Sequence, residues 1–220
     1  MVLLFDIAGV SVAGVKLPLC SSVFKEYQNH LPESLASAAQ VRKEDYIAGR
    51  LCAFKASSLL GLSLTKLPTH SDRTPIWPQN LCGSISHSKK LAVSCVSSTD
   101  HYFSLGIDAE ELLDDHIDIS EQVANSNELL LVENKLGLTV LFSAKEALYK
   151  AIYPIVKSFV DFKEVEMTAI DFAKKTFEIK ALSENLLKLG LNHFQGSFQL
   201  IDNTIVTLIT IKHRGNHVDS

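Results

Sequence analysis

The sequence predicts an α+β protein built as two similar lobes, and three observations carry that expectation. A long helical pattern occurs once in each half, at residues 34–60 and 138–156. Each is followed by runs of strand type joined by short polar links. The 220 residues, 46% hydrophobic and 21% charged, suffice for one large core or two small ones and fit an ordinary globular composition. The repetition divides the chain into lobes 1–110 and 111–220 and places any composite site at their boundary, in the cleft between them.

The elements follow in order. Residues 1–6 read as a first strand, because Asp6 interrupts the apolar run and no basic segment precedes it, unlike a secretory signal. Residues 34–60 carry alanines and an apolar stripe at three- and four-residue spacing, and Gly61 closes the helix. Three prolines and Trp77 make 67–81 an extended loop, leading to a small polar turn at 84–88. Strand-like runs at 91–97 and 102–109 flank Ser98-Thr99-Asp100-His101 and predict a hairpin.

The acidic, leucine-rich stretch 111–134 is expected to be a partly mobile connection with short helical pieces. In 138–156 the stripe Leu141, Ala144, Leu148 and Ile152 lies opposite Lys145, near Glu146 and Lys150, and Pro154 limits the C-terminal end. Strand runs then occupy 165–172, 176–182, 194–201 and 205–212, the last two meeting across Asp202-Asn203.

Composition excludes several function classes. The formal net charge is −4 and no Lys/Arg cluster forms a phosphate-binding stripe, so nucleic acid is not an expected partner. Cys20, Cys52, Cys82 and Cys95 lack C-x-x-C spacing and read as reduced thiols. No apolar stretch reaches the roughly 18 residues that a membrane span requires, so a cytoplasmic location is expected.

Three segments carry chemistry. Gly106-Ile107-Asp108-Ala109-Glu110 ends a strand, where residues two apart share a face, so Asp108 and Glu110 can direct their carboxylates into one volume. A hard divalent cation such as Mg²⁺ relieves the resulting repulsion; the alternative is a pair of exposed strand-end charges. In Phe142-Ser143-Ala144-Lys145-Glu146-Ala147-Leu148-Tyr149-Lys150-Ala151, Glu146 and Lys150 lie one helical turn apart and form either part of a site or a surface ion pair. Gly83-Ser84-Ile85-Ser86-His87-Ser88 offers hydroxyls, backbone N–H groups and an imidazole for a phosphate. No zinc spacing, nucleophile elbow or P-loop is present.

Taken together with Ala48-Gly49-Arg50 and Arg73-Thr74-Pro75-Ile76-Trp77-Pro78, these motifs resemble the phosphopantetheinyl transferases of the pseudodimeric, enterobactin-synthase type. The resemblance covers roughly residues 40–155. It implies two α+β lobes with coenzyme A between them, and transfer of its 4′-phosphopantetheine group to a serine of an acyl or peptidyl carrier protein, with 3′,5′-ADP as the other product. It implies that Asp108, Glu110 and Glu146 hold Mg²⁺, and that Arg50, Ser86 and His87 reach the 3′-phosphate with Arg73 nearby. Lys150 inherits contact with the transferred phosphate, and Arg42 and Lys43 are further phosphate candidates. Either Glu146 or a water on the metal accepts the serine proton, and a two-lobed monomer is expected. Two other readings remain, a non-catalytic carrier- or coenzyme-binding module and a metal-dependent phosphohydrolase. The carrier-facing surface is expected on 112–137 and adjacent parts of the second lobe.

Overall fold

The structure is a computed structural model and describes residues 2–114, 119–132 and 134–213. Strands β1 (Val2–Ile7) and β2 (Val10–Lys16) form the first hairpin. A short helix α1 (Ser21–Tyr27) and two single 3₁₀ turns lead to α2 (Gln40–Leu59), and then to β3 (Leu81–His87), β4 (Leu91–Ser98) and β5 (Ser104–Glu111). Two one-turn helices, α3 (Ser120–Val123) and α4 (Ser126–Leu129), precede α5 (Lys135–Val156). The chain ends with β6 (Val165–Asp171), β7 (Thr176–Ala181), α6 (Glu184–Lys188), β8 (His193–Ile201) and β9 (Thr204–Ile211).

The strands make two antiparallel sheets, ordered β1-β2-β4-β3 and β5-β9-β8-β7-β6. Because successive side chains on a strand face opposite ways, each sheet has two faces to bury. Ala13, Val15, Ala92 and Val96 of the first sheet pack with Ile47, Ala48, Leu51 and Cys52 of α2. Val12, Val93 and Cys95 on its other face share a core with Leu105, Ile107, Val206 and Leu208 of the second sheet. The remaining face of the second sheet, with Ile205 and Ile209, buries Val140, Leu141, Ala144 and Leu148 of α5. The order is helix, sheet, sheet, helix. Covering both faces of β4 explains why it reads as an almost unbroken apolar run.

The α+β expectation with a helix ahead of strands in each half holds, and the differences have physical causes. Residues 91–97 and 102–109 do not pair with each other: β4 pairs with β2 and β3, whereas β5 pairs with β9. The link 99–103 therefore carries the chain from one sheet to the other, and residue 110 falls near the end of a strand already in the second sheet. Residues 84–87 are not a turn but part of β3, where Ser84 and Ser86 alternate with Ile85 and His87 along a strand paired with β4. Helix α2 starts at Gln40, with only a 3₁₀ turn at Glu33–Leu35 before it. Pro154 sits inside the last turn of α5, which closes at Lys157 in the left-handed region.

Lys145 is the largest departure from the helical wheel. It is buried, and its ammonium donates to Glu128, also buried, and to the carbonyls of Val123 and Phe162 at 2.8 Å each. Glu128 in turn accepts from the backbone N–H groups of Asn125 and Met167. A charge buried among apolar neighbours is tolerable only when paired and hydrogen-bonded in this way. The pair clamps α4 and the start of β6 onto α5. Of the expected connection 112–137, residues 115–118 and 133 lie outside the described residues.

Cys52, Cys82 and Cys95 are buried free thiols, and Cys20 is an exposed one. No helix among the described residues is long and apolar enough to cross a membrane.

Candidate active site

The two sheets meet where edge strand β3 lies beside edge strand β5, under one face of α5. Gly106 makes the approach of α5 possible, since a Cβ there would fall 1.9 Å from the Ala147 carbonyl oxygen and 2.6 Å from the Ala151 nitrogen. On β5, Leu105, Ile107 and Ala109 point into the core between the sheets. The alternate positions, Asp108 and Glu110, face the other way.

Asp108 is 2% exposed and its carboxylate accepts three hydrogen bonds. Oδ1 accepts from Lys150 Nζ at 2.6 Å and from Ser86 Oγ at 2.9 Å. Oδ2 accepts from Ser143 Oγ at 2.8 Å. Lys150 Nζ also donates to Ser86 Oγ at 2.8 Å, so one ammonium joins α5 to both edge strands.

Glu110 and Glu146 share this electrostatic volume. Burial first, and then the charge of Asp108, push the Glu110 carboxyl up to about 7, with Glu146 adding to the rise and Lys150 opposing it. Glu146 is raised for the same reasons, burial and then Asp108, again against Lys150. Three carboxylates thus face one ammonium. Among the described residues no three His, Cys, Asp or Glu side chains stand close enough to hold a metal ion together. The shortage of positive charge and the all-oxygen character of Asp108, Glu110 and Glu146 are of the kind that suits a hard divalent cation.

A cavity of about 1220 Å³ opens beside this centre, walled by residues 29–35, α2, the loop 65–75 and β3. Arg42, Arg50, Lys66, Arg73 and His87 line it, opposed by Asp45. Arg50 is 8% exposed, stacks on the Tyr46 ring at 3.8 Å, and donates from Nη2 to Thr69 Oγ1 at 2.7 Å. Its Nε–H is buried without an acceptor among the described residues. A cavity with several cations and a buried unspent donor suits an anion.

The wall ends at His87; Asp108, Glu110, Glu146 and Lys150 lie past it. His87 connects the two regions, with Nδ1 3.8 Å from Asp45 Oδ1. Burial lowers its pKa and Asp45 pulls it back up, while Arg42, Lys150 and Asp108 also act on it. Of the residues read from sequence, Arg50, Arg73, Arg42 and His87 gather on the cavity, and Lys43 does not line it. Ser86 sits with Asp108 and Lys150 instead of beside Arg50 and His87 on the cavity wall, because alternate residues of β3 face opposite ways.

The model of the 4′-phosphopantetheinyl transferase N-terminal domain matches residues 31–97, and that of the 4′-phosphopantetheinyl transferase superfamily matches residues 104–206. A 4′-phosphopantetheinyl transferase of Streptomyces mobaraensis is 30% identical over 200 residues, covering 87% of this chain and 79% of the relative. This chain belongs to the 4′-phosphopantetheinyl transferase family. Enterobactin synthase component D of Salmonella typhimurium is 29% identical over 195 residues, covering 84% of this chain and 79% of that protein. A 4′-phosphopantetheinyl transferase of Nocardia iowensis is 29% identical over 192 residues, covering 80% and 85% respectively.

Sequence reasoning assigned no role to two polar residues of this phosphopantetheinyl transferase. Ser143 donates to Asp108 Oδ2, and Thr207, opposite Asp108 on β9, donates its hydroxyl to the Ser143 carbonyl at 2.9 Å. Both are fully buried. Ser143 stands inside the Phe142–Lys150 motif, so its position was visible, but its orientation toward Asp108 follows only from the seating of α5 on β5.

Proposed function

We propose that this phosphopantetheinyl transferase moves the 4′-phosphopantetheine group of coenzyme A to a serine hydroxyl of an acyl or peptidyl carrier protein, releasing 3′,5′-ADP, with Mg²⁺ as cofactor. One observation supports the reading: a cationic cavity large enough for a nucleotide ends at His87, and the next residue along β3, Ser86, belongs to the buried carboxylate and ammonium centre. Coenzyme A has that same layout, a phosphorylated nucleotide joined by a pyrophosphate to a long arm. Arg50, Arg73 and His87 take the nucleotide phosphate in this reading, and the pyrophosphate lies toward Lys150. The Salmonella relative's name, an enterobactin synthase component, supports a carrier from siderophore or other nonribosomal peptide or polyketide synthesis as acceptor.

Chemistry follows from the residues' positions. The carrier serine oxygen forms a bond to the phosphorus on the pantetheine side, and the bond from that phosphorus to the oxygen of the 3′,5′-ADP phosphate breaks. Glu146 takes the serine proton, directly or through a water, a role that its raised proton affinity favours. Lys150, held in place by Asp108 and Ser86, sets positive charge beside the transferred phosphate. Mg²⁺ bound by Asp108, Glu110 and Glu146 would supply neutralisation of the pyrophosphate and leaving-group charge. Holding both reactants in line supplies much of the remaining acceleration.

The test is incubation with coenzyme A and Mg²⁺, with and without an apo carrier protein, followed by mass spectrometry. A carrier mass gain of one phosphopantetheine is expected. Coenzyme A binding without transfer favours the non-catalytic reading, and pyrophosphate cleavage without a carrier favours the phosphohydrolase; either result overturns the proposal.

A further inference from the structure

Among the contacts that cross between the two halves outside the carboxylate centre, one reaches the cavity wall. The hydroxyl of Tyr153, on α5, donates to Asp72 Oδ2 at 2.9 Å. The other oxygen of Asp72 accepts from the backbone N–H of Thr74 at 2.9 Å and from its hydroxyl at 2.6 Å. These bonds close a side-chain-capped turn. At its centre Arg73 holds φ 71, a left-handed conformation that a residue with a Cβ ordinarily avoids. Backbone bonds from Arg73 N–H to the His70 carbonyl (3.0 Å) and from His70 N–H to the Thr74 carbonyl (2.8 Å) enforce it. The whole device serves to present Arg73 on the cavity wall.

Tyr153 lies three residues beyond Lys150 and seven beyond Glu146, so the three side chains project from the same side of α5. The Tyr149 ring packs edge-on against the Tyr153 ring at 5.7 Å and fixes its direction. The turn therefore has two separable sets of bonds. Those to Thr74 shape it internally, and the one from Tyr153 ties it to the helix that carries the reacting groups. Hydrogen bonds from the Thr74 side chain and backbone, and then from Tyr153, hold the Asp72 carboxyl down at about 2, so the acceptor stays charged throughout the neutral range.

We propose that Tyr153 is a positioning residue, a strut that through Asp72 fixes the distance from Arg73 to Lys150 and Glu146. A substrate gripped at both places is then bound in register. This rests on the reading that the nucleotide end of coenzyme A occupies the cavity. Loss of the Tyr153 hydroxyl leaves the turn intact but frees it from α5. A ligand confined to the cavity does not sense that change, and one that spans both regions does.

The test compares two probes by calorimetry, coenzyme A and adenosine 3′,5′-bisphosphate, which lacks the pantetheine arm. Tyr153→Phe keeps the ring on Tyr149 and is expected to weaken coenzyme A about fivefold, the worth of one hydrogen bond, while bisphosphate affinity stays within about twofold. Asp72→Ala, which also dissolves the turn, is expected to weaken both probes. If wild-type protein binds both probes and Tyr153→Phe weakens both equally, or neither, the strut is overturned and the reading of the cavity stands. If wild-type protein binds neither, the reading of the cavity falls and the strut with it.

Discussion

The ammonium of Lys150 lies 2.6 Å from Oδ1 of Asp108, in an ion pair whose carboxylate side is almost wholly buried. The same ammonium reaches Ser86, so this pair fastens α5 to the edge strands of both sheets where the reaction is proposed to occur. Asp108 retains two hydroxyl donors without Lys150, and Lys150, unlike Lys145, is partly exposed, so its loss leaves the carboxylate within reach of water and costs the fold less.

Lys150→Met is therefore expected to fold and to lose about a hundredfold or more in kcat, the scale of removing one charged group from a transition state. Steady-state transfer assays check this; a kcat near wild type would remove Lys150 from the chemistry.

Glu146→Gln preserves size and hydrogen-bonding shape while removing the basic oxygen. Turnover is expected to fall by at least about a hundredfold, far more than coenzyme A affinity does. Parallel kinetics and calorimetry decide; near-normal turnover refutes Glu146 as the base.

Glu110 links the site to pH. Its carboxyl rises from an ordinary value of 4.5 to about 7 in the folded chain. Between those values the folded state binds more protons than the unfolded state. The stability that this group contributes is thus complete below 4.5 and is lost as the pH rises through 7. In buffer containing a chelator, Tm is expected to decline from about pH 5 to pH 8, and Glu110→Gln to flatten part of that decline. Identical slopes in the two proteins would contradict the assignment.

The Lys145–Glu128 pair, at 2.8 Å with both side chains essentially inaccessible, is costly to break from one side. Breaking it with Lys145→Met alone is expected to cost about 3–5 kcal/mol, because a buried carboxylate loses its counter-charge. Adding Glu128→Leu should recover part of that loss. Urea midpoints of the single and double variants measure it, and additive losses would argue against a coupled pair.

Those same residues show where the sequence was legible. The stripe of α5 and the strands of the second half could be read because their periods, 3.6 and 2, run for many residues over a well-covered face. Spacing gave Asp108 with Glu110 on one face of a strand and Glu146 with Lys150 on one face of a helix, and the family resemblance of the motifs joined the two pairs. Lys145 could not, because its burial depends on Glu128 and on carbonyls from separate segments. Nor could the partner of β5, which is the distant β9; the short polar link before it imitates a hairpin turn. In β3, Ser86, which donates to Asp108, and Ser84, whose carbonyl accepts from the Ser94 hydroxyl of β4, look in sequence like turn residues. The cavity wall at 29–35 and 65–75 has no period to read.

The proposed reaction rests above all on Asp108, Glu110 and Glu146 serving one divalent ion. Titration of Mn²⁺ into the protein with coenzyme A present, followed by electron paramagnetic resonance, tests that directly. One tightly held ion per chain is expected in the wild type, competed by Mg²⁺, with at least a tenfold loss of affinity in both Glu110→Gln and Glu146→Gln. An ion bound with unchanged affinity in both variants, or no bound ion in the wild type, would contradict it.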